Sequence, residues 1–85
     1  MTAPTRRHGI SVQRIGDETV LHDAERQQAH VVNQSAAWVW EHFDGIRSTD
    51  DIADQLAREF EIPVEAARSD VSAVTDAFRR LGLLG

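Results

Sequence analysis

The hydrophobic pattern of this 85-residue chain changes its period at Asn33, and this change constrains the fold more than any other feature. Before Asn33, apolar and polar residues alternate, as they do in strands with one covered face. After it, apolar residues recur every three or four positions, as they do along one face of a helix. A chain of this length forms one domain, so we expect a small sheet and a set of helices around one core.

Three short strands are predicted before the change of period. Residues 10–15 (ISVQRI) form the first, and the dipeptide Gly16-Asp17 supplies a hairpin turn. Residues 19–22 (TVLH) and 28–32 (QAHVV) form the second and third, with a polar connection between them. We expect residues 1–8 to be a disordered N-terminal tail, and the domain to occupy residues 9–85.

Three helices are predicted after it. Asn33 or Ser35 caps the first, and its apolar face consists of Ala36, Val39, Trp40 and Phe43. Ser48 and Asp51 have the spacing of a capping box, which predicts a second helix to about residue 60. Pro63 suits the first turn of the third helix, whose apolar stripe is Ala67, Val71, Val74, Phe78 and Leu81. The predicted fold is α+β, a three-stranded antiparallel β-meander followed by three helices.

The charge distribution argues against a nucleic-acid partner. The net charge is −5, and residues 44–65 alone carry seven acids against two arginines. Nucleic-acid binders gain most of their affinity from cations placed against phosphates. No apolar run has the length of a membrane span, and residues 1–9 lack the apolar stretch of a secretory signal, so we expect a cytoplasmic protein with no membrane partner.

The residue types also argue against catalysis and against a metal or other cofactor. The chain has no cysteine, and no two of its four histidines lie three or four positions apart on one element with an acid to complete a metal site. There is no glycine-rich phosphate loop and no nucleophile motif. We therefore expect a protein that is not an enzyme and holds no cofactor.

Two features remain as candidates for function. Trp38 lies about 160° around its helix from the predicted apolar face, so it either packs on the sheet rim or the N-terminal segment, or belongs to an exposed patch that binds a partner. The third strand is an edge with no proline or charge, and it offers unpaired N–H and C=O groups to an extended peptide. The competing interpretation is that its short length protects it.

Several short stretches, taken in order, form a known pattern: Val32-Asn33, Ala36-Ala37, Trp40, Phe43-Asp44-Gly45, the stripe Ile52/Leu56/Phe60, Asp70-Val71 and Leu81-Gly82-Leu83-Leu84. The pattern resembles the PqqD-like family, the recognition elements for ribosomally synthesised and post-translationally modified peptides (RiPPs). These are small domains with a fold like that of a winged helix-turn-helix. The resemblance spans roughly residues 9–85.

The resemblance implies a peptide-binding module that acts in natural product biosynthesis. The leader of a precursor peptide would add as a strand to the third strand, beside the last helix, and would be presented to a leader protease, cyclase or other modifying enzyme. The implied strand wall is Ala29, His30, Val31 and Val32. The implied helix wall is Ala67, Arg68, Asp70, Val71 and Val74.

Two departures favour one branch of the family. Chaperones of the pyrroloquinoline quinone (PQQ) precursor often have a Pro-Glu step before the third strand and an aliphatic residue at the place of Trp40, whereas this chain has HDAERQQAHVVN and the tryptophan. The sequence looks more like a free-standing element for lasso peptides, and a PQQ peptide chaperone is the second hypothesis.

Two further hypotheses fit the same elements. Three helices and a hairpin are also the architecture of a winged-helix DNA-binding protein, although the charge distribution disfavours that function. The chain could instead be a subunit that only stabilises an enzyme. Because a sheet edge can pair with its own copy, either a monomer or a homodimer is compatible with the sequence.

Overall fold

A computed structural model describes residues 3–85 and confirms the predicted order of elements. The strands are β1 (Ile10–Ile15), β2 (Glu18–Asp23) and β3 (Gln28–Val32), and the helices are α1 (Gln34–Glu41), α2 (Thr49–Phe60) and α3 (Val64–Arg80). The strand order is β1-β2-β3 with both pairings antiparallel. The fold is therefore the expected α+β meander with three helices, and its likeness to a winged helix-turn-helix is an analogy of architecture.

The turn between β1 and β2 fixes the register of the sheet. Ile15 pairs with Glu18 across the two-residue loop, and Gly16 has a φ of 63° while Asp17 does not share a positive φ. A short loop of this length sets which residues of the two strands face each other. In this register Thr19, Leu21 and Asp23 of β2 point to the covered face and are buried.

The helix starts follow the predicted capping chemistry, with one correction. The Asn33 side chain accepts a hydrogen bond from the Ala36 N–H at 2.8 Å. Ser48 and Asp51 form the capping box, in which each side chain accepts a hydrogen bond from the backbone N–H of the other residue. Pro63 does not occupy the first turn of α3; it is the N-cap, with an extended ψ of 144°.

One core joins the sheet to all three helices. Phe78 of α3 meets Trp40 of α1 edge-on at a centroid distance of 5.5 Å, and it meets Phe43 edge-on at 6.2 Å. The other fully buried members include Leu21, Val39, Ile52, Leu56, Ala67, Val71 and Leu83. The burial of Ala36, Val39 and Trp40 confirms the apolar face predicted for α1, whereas the buried Phe43 lies just beyond the end of the helix.

The segment before β1 pairs with distant backbone at residues 4–7, which belong to the tail that the sequence predicts to be disordered. Four hydrogen bonds hold it: Gly45 N–H to Pro4 C=O, Gly85 N–H to Thr5 C=O, Arg6 N–H to Phe43 C=O and Arg7 N–H to Leu83 C=O. The four partner residues lie in two regions that are remote in the chain, so no local pattern reveals the pairing. Met1 and Thr2, which belong to the predicted tail, lie outside the described residues.

Candidate functional site

The backbone of β2 has a fixed orientation that follows from its turn. Because a two-residue loop joins β1 to β2, Ile15 and Glu18 form a hydrogen-bonded pair, and such pairs alternate along an antiparallel ladder. The N–H and C=O groups of Thr19, Leu21 and Asp23 therefore point away from β1. They face β3, whose residues Val32, His30 and Gln28 are their register partners.

It follows that β3 presents an open row of backbone groups at the sheet edge. Since His30 and Val32 use their backbone groups toward β2, the groups of Ala29 and Val31 point outward. In the described part of the chain no further strand pairs with β3. The edge predicted from the sequence is thus present and unpaired.

The four predicted strand residues divide between two faces of the sheet. His30 and Val32 lie opposite the buried Leu21 and Thr19, so their half-buried side chains share the covered face. Ala29 and Val31 point to the other face, where the Val31 side chain is 63% exposed. The first pair can contact a guest through side chains on the helix side, and the second pair through its outward backbone groups.

Two of the five predicted helix residues belong to the core. Ala67 and Val71 have no exposed surface, because they share a helical stripe with Phe78 that faces the other helices. They cannot touch a guest peptide in this structure. The sequence pattern marks them as apolar, but it does not tell which apolar positions of α3 stay at the surface.

The remaining three lie on two different flanks of α3. Arg68 and Asp70 are about 160° apart around the helix. Arg68 faces α2, where it lines a depression of 270 Å³ together with Asp50 and Arg79. Asp70 and the half-buried Val74 lie on the opposite flank, so the structure separates Arg68 from the other candidates.

The flank that carries Asp70 extends further than the sequence analysis foresaw. Asp70, Val74, Ala77 and Leu81 follow one another at steps of four, three and four residues. Leu81 is 38% exposed and Ala77 is half-buried, so this flank offers apolar surface beyond Val74. The same spacing is visible in the sequence, where it marks Leu81 only as a core position.

We call the outward edge of β3 together with this flank of α3 the β3–α3 surface. Val32 and Val74 both pack against the core, so the two walls border the same interior. The main packing partners of α3 are α2 and α1, and that of β3 is β2. The backbone of α3 thus does not cover the open edge.

A cluster of charged groups ties the start of β3 to the end of α3. The Arg26 guanidinium, in the β2–β3 turn, donates to the Leu81 carbonyl at 2.9 Å. The Arg7 guanidinium donates to the Gly82 carbonyl at 2.7 Å and to the buried carboxylate of Asp23. These bonds position the two walls relative to each other.

The Asp23 carboxyl group accepts hydrogen bonds from both arginines of this cluster. Burial alone would raise the pKa of Asp23, but hydrogen bonds from the Arg26 N–H and the Arg7 guanidinium outweigh it and lower the pKa below 3.8. Asp23 therefore stays ionised and keeps both arginines in place at neutral pH.

The Trp38 ring packs against two aromatic side chains of the helices. It stacks on His42 at a centroid distance of 3.7 Å and meets Phe60 edge-on at 6.1 Å. The side chain remains half-buried and lines a depression between α1 and the β1–β2 hairpin.

Residues 3–85 contain neither a cluster of metal ligands nor a membrane-spanning helix. No group of three or more histidine, aspartate or glutamate residues there is arranged to hold a metal ion. No described helix is both long and apolar enough to cross a membrane.

Known proteins share this fold and supply a family. The structure titled "Lasso peptide synthetase B1 complexed with the leader peptide" has a TM-score of 0.81 and 24% identity over 98% of each chain. TbiB1 in complex with the TbiA(beta) leader peptide has a TM-score of 0.78 and 16% identity, over 94% of this chain and 93% of that one. At these identities the likeness establishes the fold alone.

Sequence comparison gives the family directly. No curated protein matches the chain significantly in sequence. The family model of PqqD, coenzyme PQQ synthesis protein D, matches residues 18–84, which is most of the chain and includes β2, β3 and all three helices. The resemblance seen in the sequence is thereby confirmed, and the chain belongs to the PqqD family.

Proposed function

We propose that this protein binds the leader segment of a ribosomally made precursor peptide on its β3–α3 surface and presents it to a modifying enzyme. The observation that carries the proposal is the outward row of backbone groups at Ala29 and Val31, on a strand whose preceding turn is tied to the end of α3 by the Arg26–Leu81 hydrogen bond. The role is binding, without catalysis by this chain.

Strand addition would divide affinity and selectivity between two kinds of contact. Backbone pairing with Ala29 and Val31 supplies affinity that depends little on the guest sequence. Side chains on the helix side supply selectivity, with apolar contacts from Val32 and Val74 and a charge from Asp70. A leader with alternating apolar residues, spaced by two, suits such a surface.

An unsatisfied group at this surface supports the proposal. The Nε2 atom of His30 is buried and has no hydrogen-bond partner among the described residues. A buried polar atom without a partner costs free energy. A guest strand beside His30 could bring a hydrogen-bonding group within reach and relieve this cost.

The solved structures of similar fold are consistent with this role. Both are titled as complexes with leader peptides, and each covers more than nine-tenths of this chain. Shared architecture alone does not fix function, so the support comes from the combination of this fold with the open edge.

A titration with the leader of the precursor encoded beside this chain tests the proposal. Backbone amide signals of residues 28–33 and 70–81 should shift, while those of the exposed α2 positions Asp54 and Arg58 should stay in place. If the leader binds without moving residues 28–33, strand addition to β3 is wrong. If it does not bind at all, the leader-binding role is wrong.

Proline variants at the two sheet edges sharpen the test. Val31→Pro removes an outward N–H without removing a bond to β2, so we expect a folded protein with leader affinity reduced about tenfold or more. Val12→Pro makes the same change at the outer edge of β1 and should leave leader affinity unchanged. Equal losses in both variants would contradict docking at β3.

The family itself favours a second candidate. Because the matching family model is that of coenzyme PQQ synthesis protein D, the guest could be the precursor of that cofactor. Competition between a PQQ precursor peptide and a lasso precursor leader, followed by the same amide signals, decides which guest the β3–α3 surface prefers.

A further inference from the structure

A second uncovered surface lies at the β1 edge of the sheet, opposite the β3 edge. A depression of about 550 Å³ separates the β1–β2 hairpin from α1 and the end of α2. Its apolar part consists of Val12, Ala37, Trp38 and Phe60. We call this region the hairpin cleft.

Acidic side chains dominate the rim of the hairpin cleft. Four acids line it, namely Asp17, Glu18, Glu41 and Glu59, whereas Arg14 is the only basic residue of the lining. Glu41 also meets Arg6, at 3.5 Å and largely in solvent, which offsets little of its charge. A segment with basic side chains complements this rim.

The strand beside the cleft has an open backbone edge. By the alternation that exposes Ala29 and Val31 on β3, the N–H and C=O groups of Ile10, Val12 and Arg14 point away from β2. No other strand of the described chain pairs with β1. Val12, which lines the cleft, is 40% exposed, so apolar surface accompanies this edge.

We propose that the hairpin cleft is a second docking surface, for a basic, strand-forming segment of a partner protein that adds beside β1. One aliphatic or aromatic side chain of that segment packs against Trp38, and its basic side chains face the acids of the rim. The partner is the enzyme that acts on the leader. This identification rests on the proposed function, whereas the docking chemistry rests on the cleft alone.

This arrangement separates the two guests on the molecule. The leader would occupy one edge of the sheet and the enzyme segment the other, with β2 between them. Both edges could then be occupied at once, and the leader would be held on the same domain that the enzyme binds.

The direct test uses a synthetic octapeptide of alternating lysine and valine, added to isotope-labelled protein. We expect shifts at the amides of Val12 and Arg14 and at the Trp38 indole, weakening as salt is added. A matched glutamate–valine octapeptide should give none of them. Shifts confined to Asp50 and Asp54 would show attraction to the acidic α2 surface and would overturn the proposal.

Matched variants separate the cleft from general charge. Glu41→Gln with Glu59→Gln should weaken octapeptide binding about fivefold or more, and Asp50→Asn with Asp54→Asn, the same change of charge on α2, should not. Equal effects of the two double variants would overturn the proposal. Val12→Pro provides an independent check through the strand edge.

Leader titrations distinguish the absence of the second docking surface from the absence of the proposed function. Leader titrations on the Glu41→Gln/Glu59→Gln protein should match those on the unchanged protein, because neither residue lies on the β3–α3 surface. Leader binding without octapeptide binding leaves the proposed function intact and refutes the second surface. Octapeptide binding at Val12 without leader binding supports the second docking surface and refutes the proposed function.

Discussion

Glu61 ends α2 in a conformation that glycine would adopt at lower cost. Its φ of 52° and ψ of 49° are left-handed, where the side chain of an L-residue is crowded by the following carbonyl. The Glu61 N–H donates to the Ala57 carbonyl as the helix closes. The residue thus supports the turn into α3 while it carries backbone strain.

We predict that Glu61→Gly raises the free energy of unfolding by about 0.5 to 1 kcal/mol, because the relief of strain exceeds the added entropy of the unfolded chain. Urea unfolding measures the change. Glu59→Gly, in the helical part of α2, should lower the same quantity by about 1 kcal/mol. A decrease in both variants would contradict the strain at Glu61.

Asp44 gives the protein a dependence on pH. The backbone N–H groups of Arg47 and Ile46 each donate to its carboxylate at 2.9 Å, and they hold the pKa of Asp44 below 3.8. A carboxyl whose pKa is lowered by folding stabilises the folded state above its unfolded pKa. That contribution is lost as pH falls through the lower, folded value.

We predict that the free energy of unfolding is steady above about pH 5 and falls below about pH 4. Asp44→Asn keeps an oxygen for the two N–H groups and should flatten part of this fall, as urea unfolding across the range would record. Asp54→Asn, an exposed acid on α2, is the matched control. An identical slope in the Asp44→Asn protein would refute the assignment.

Helix α3 has two flanks that face different neighbours. One flank, with Arg68 and Ser72, borders the depression against α2. The other carries Asp70 and Val74 and belongs to the β3–α3 surface. A single helix therefore contributes to stability on one side and to the proposed binding on the other.

We predict that Val74→Asp reduces leader affinity about tenfold, because it places a charge on the apolar part of the binding flank. Ser72→Asp adds the same charge on the flank toward α2 and should leave the affinity within about twofold. Calorimetric titration of each variant, after its thermal midpoint is recorded, makes the comparison. Equal losses would place the guest elsewhere.

The N-terminal segment connects parts of the molecule that are distant in the chain. Arg7 is in contact with three parts of the chain, through the Gly82 carbonyl and the carboxylates of Asp23 and Glu25. It joins the β2–β3 turn to the C-terminal end. The segment before β1 is thus part of the frame that holds β3 beside α3.

We predict that Arg7→Ala lowers the thermal midpoint by about 4 °C or more, because it leaves the Asp23 carboxylate buried without its guanidinium. Arg6→Ala removes only the exposed pair with Glu41 and should lower the midpoint by less than about 2 °C. Thermal unfolding followed by circular dichroism measures both. Similar small effects would show that the segment is not part of the frame.

Features that depend on neighbours along the chain follow from the amino-acid sequence alone. The change of period at Asn33, the Ser48–Asp51 capping box and the Gly16-Asp17 turn each specify a local conformation, since each acts through residues within a few positions. These signals were enough for the order of strands and helices and for the open edge at Val31.

Which surfaces stay free depends on contacts between elements that are distant in the chain. The burial of Ala67, the position of Arg68 against α2 and the docking of Arg7 all depend on which elements meet in space. An apolar stripe shows that part of a helix is covered, but not what covers it or where the cover ends. Contacts between residues far apart in the chain set those limits, and they leave no local pattern.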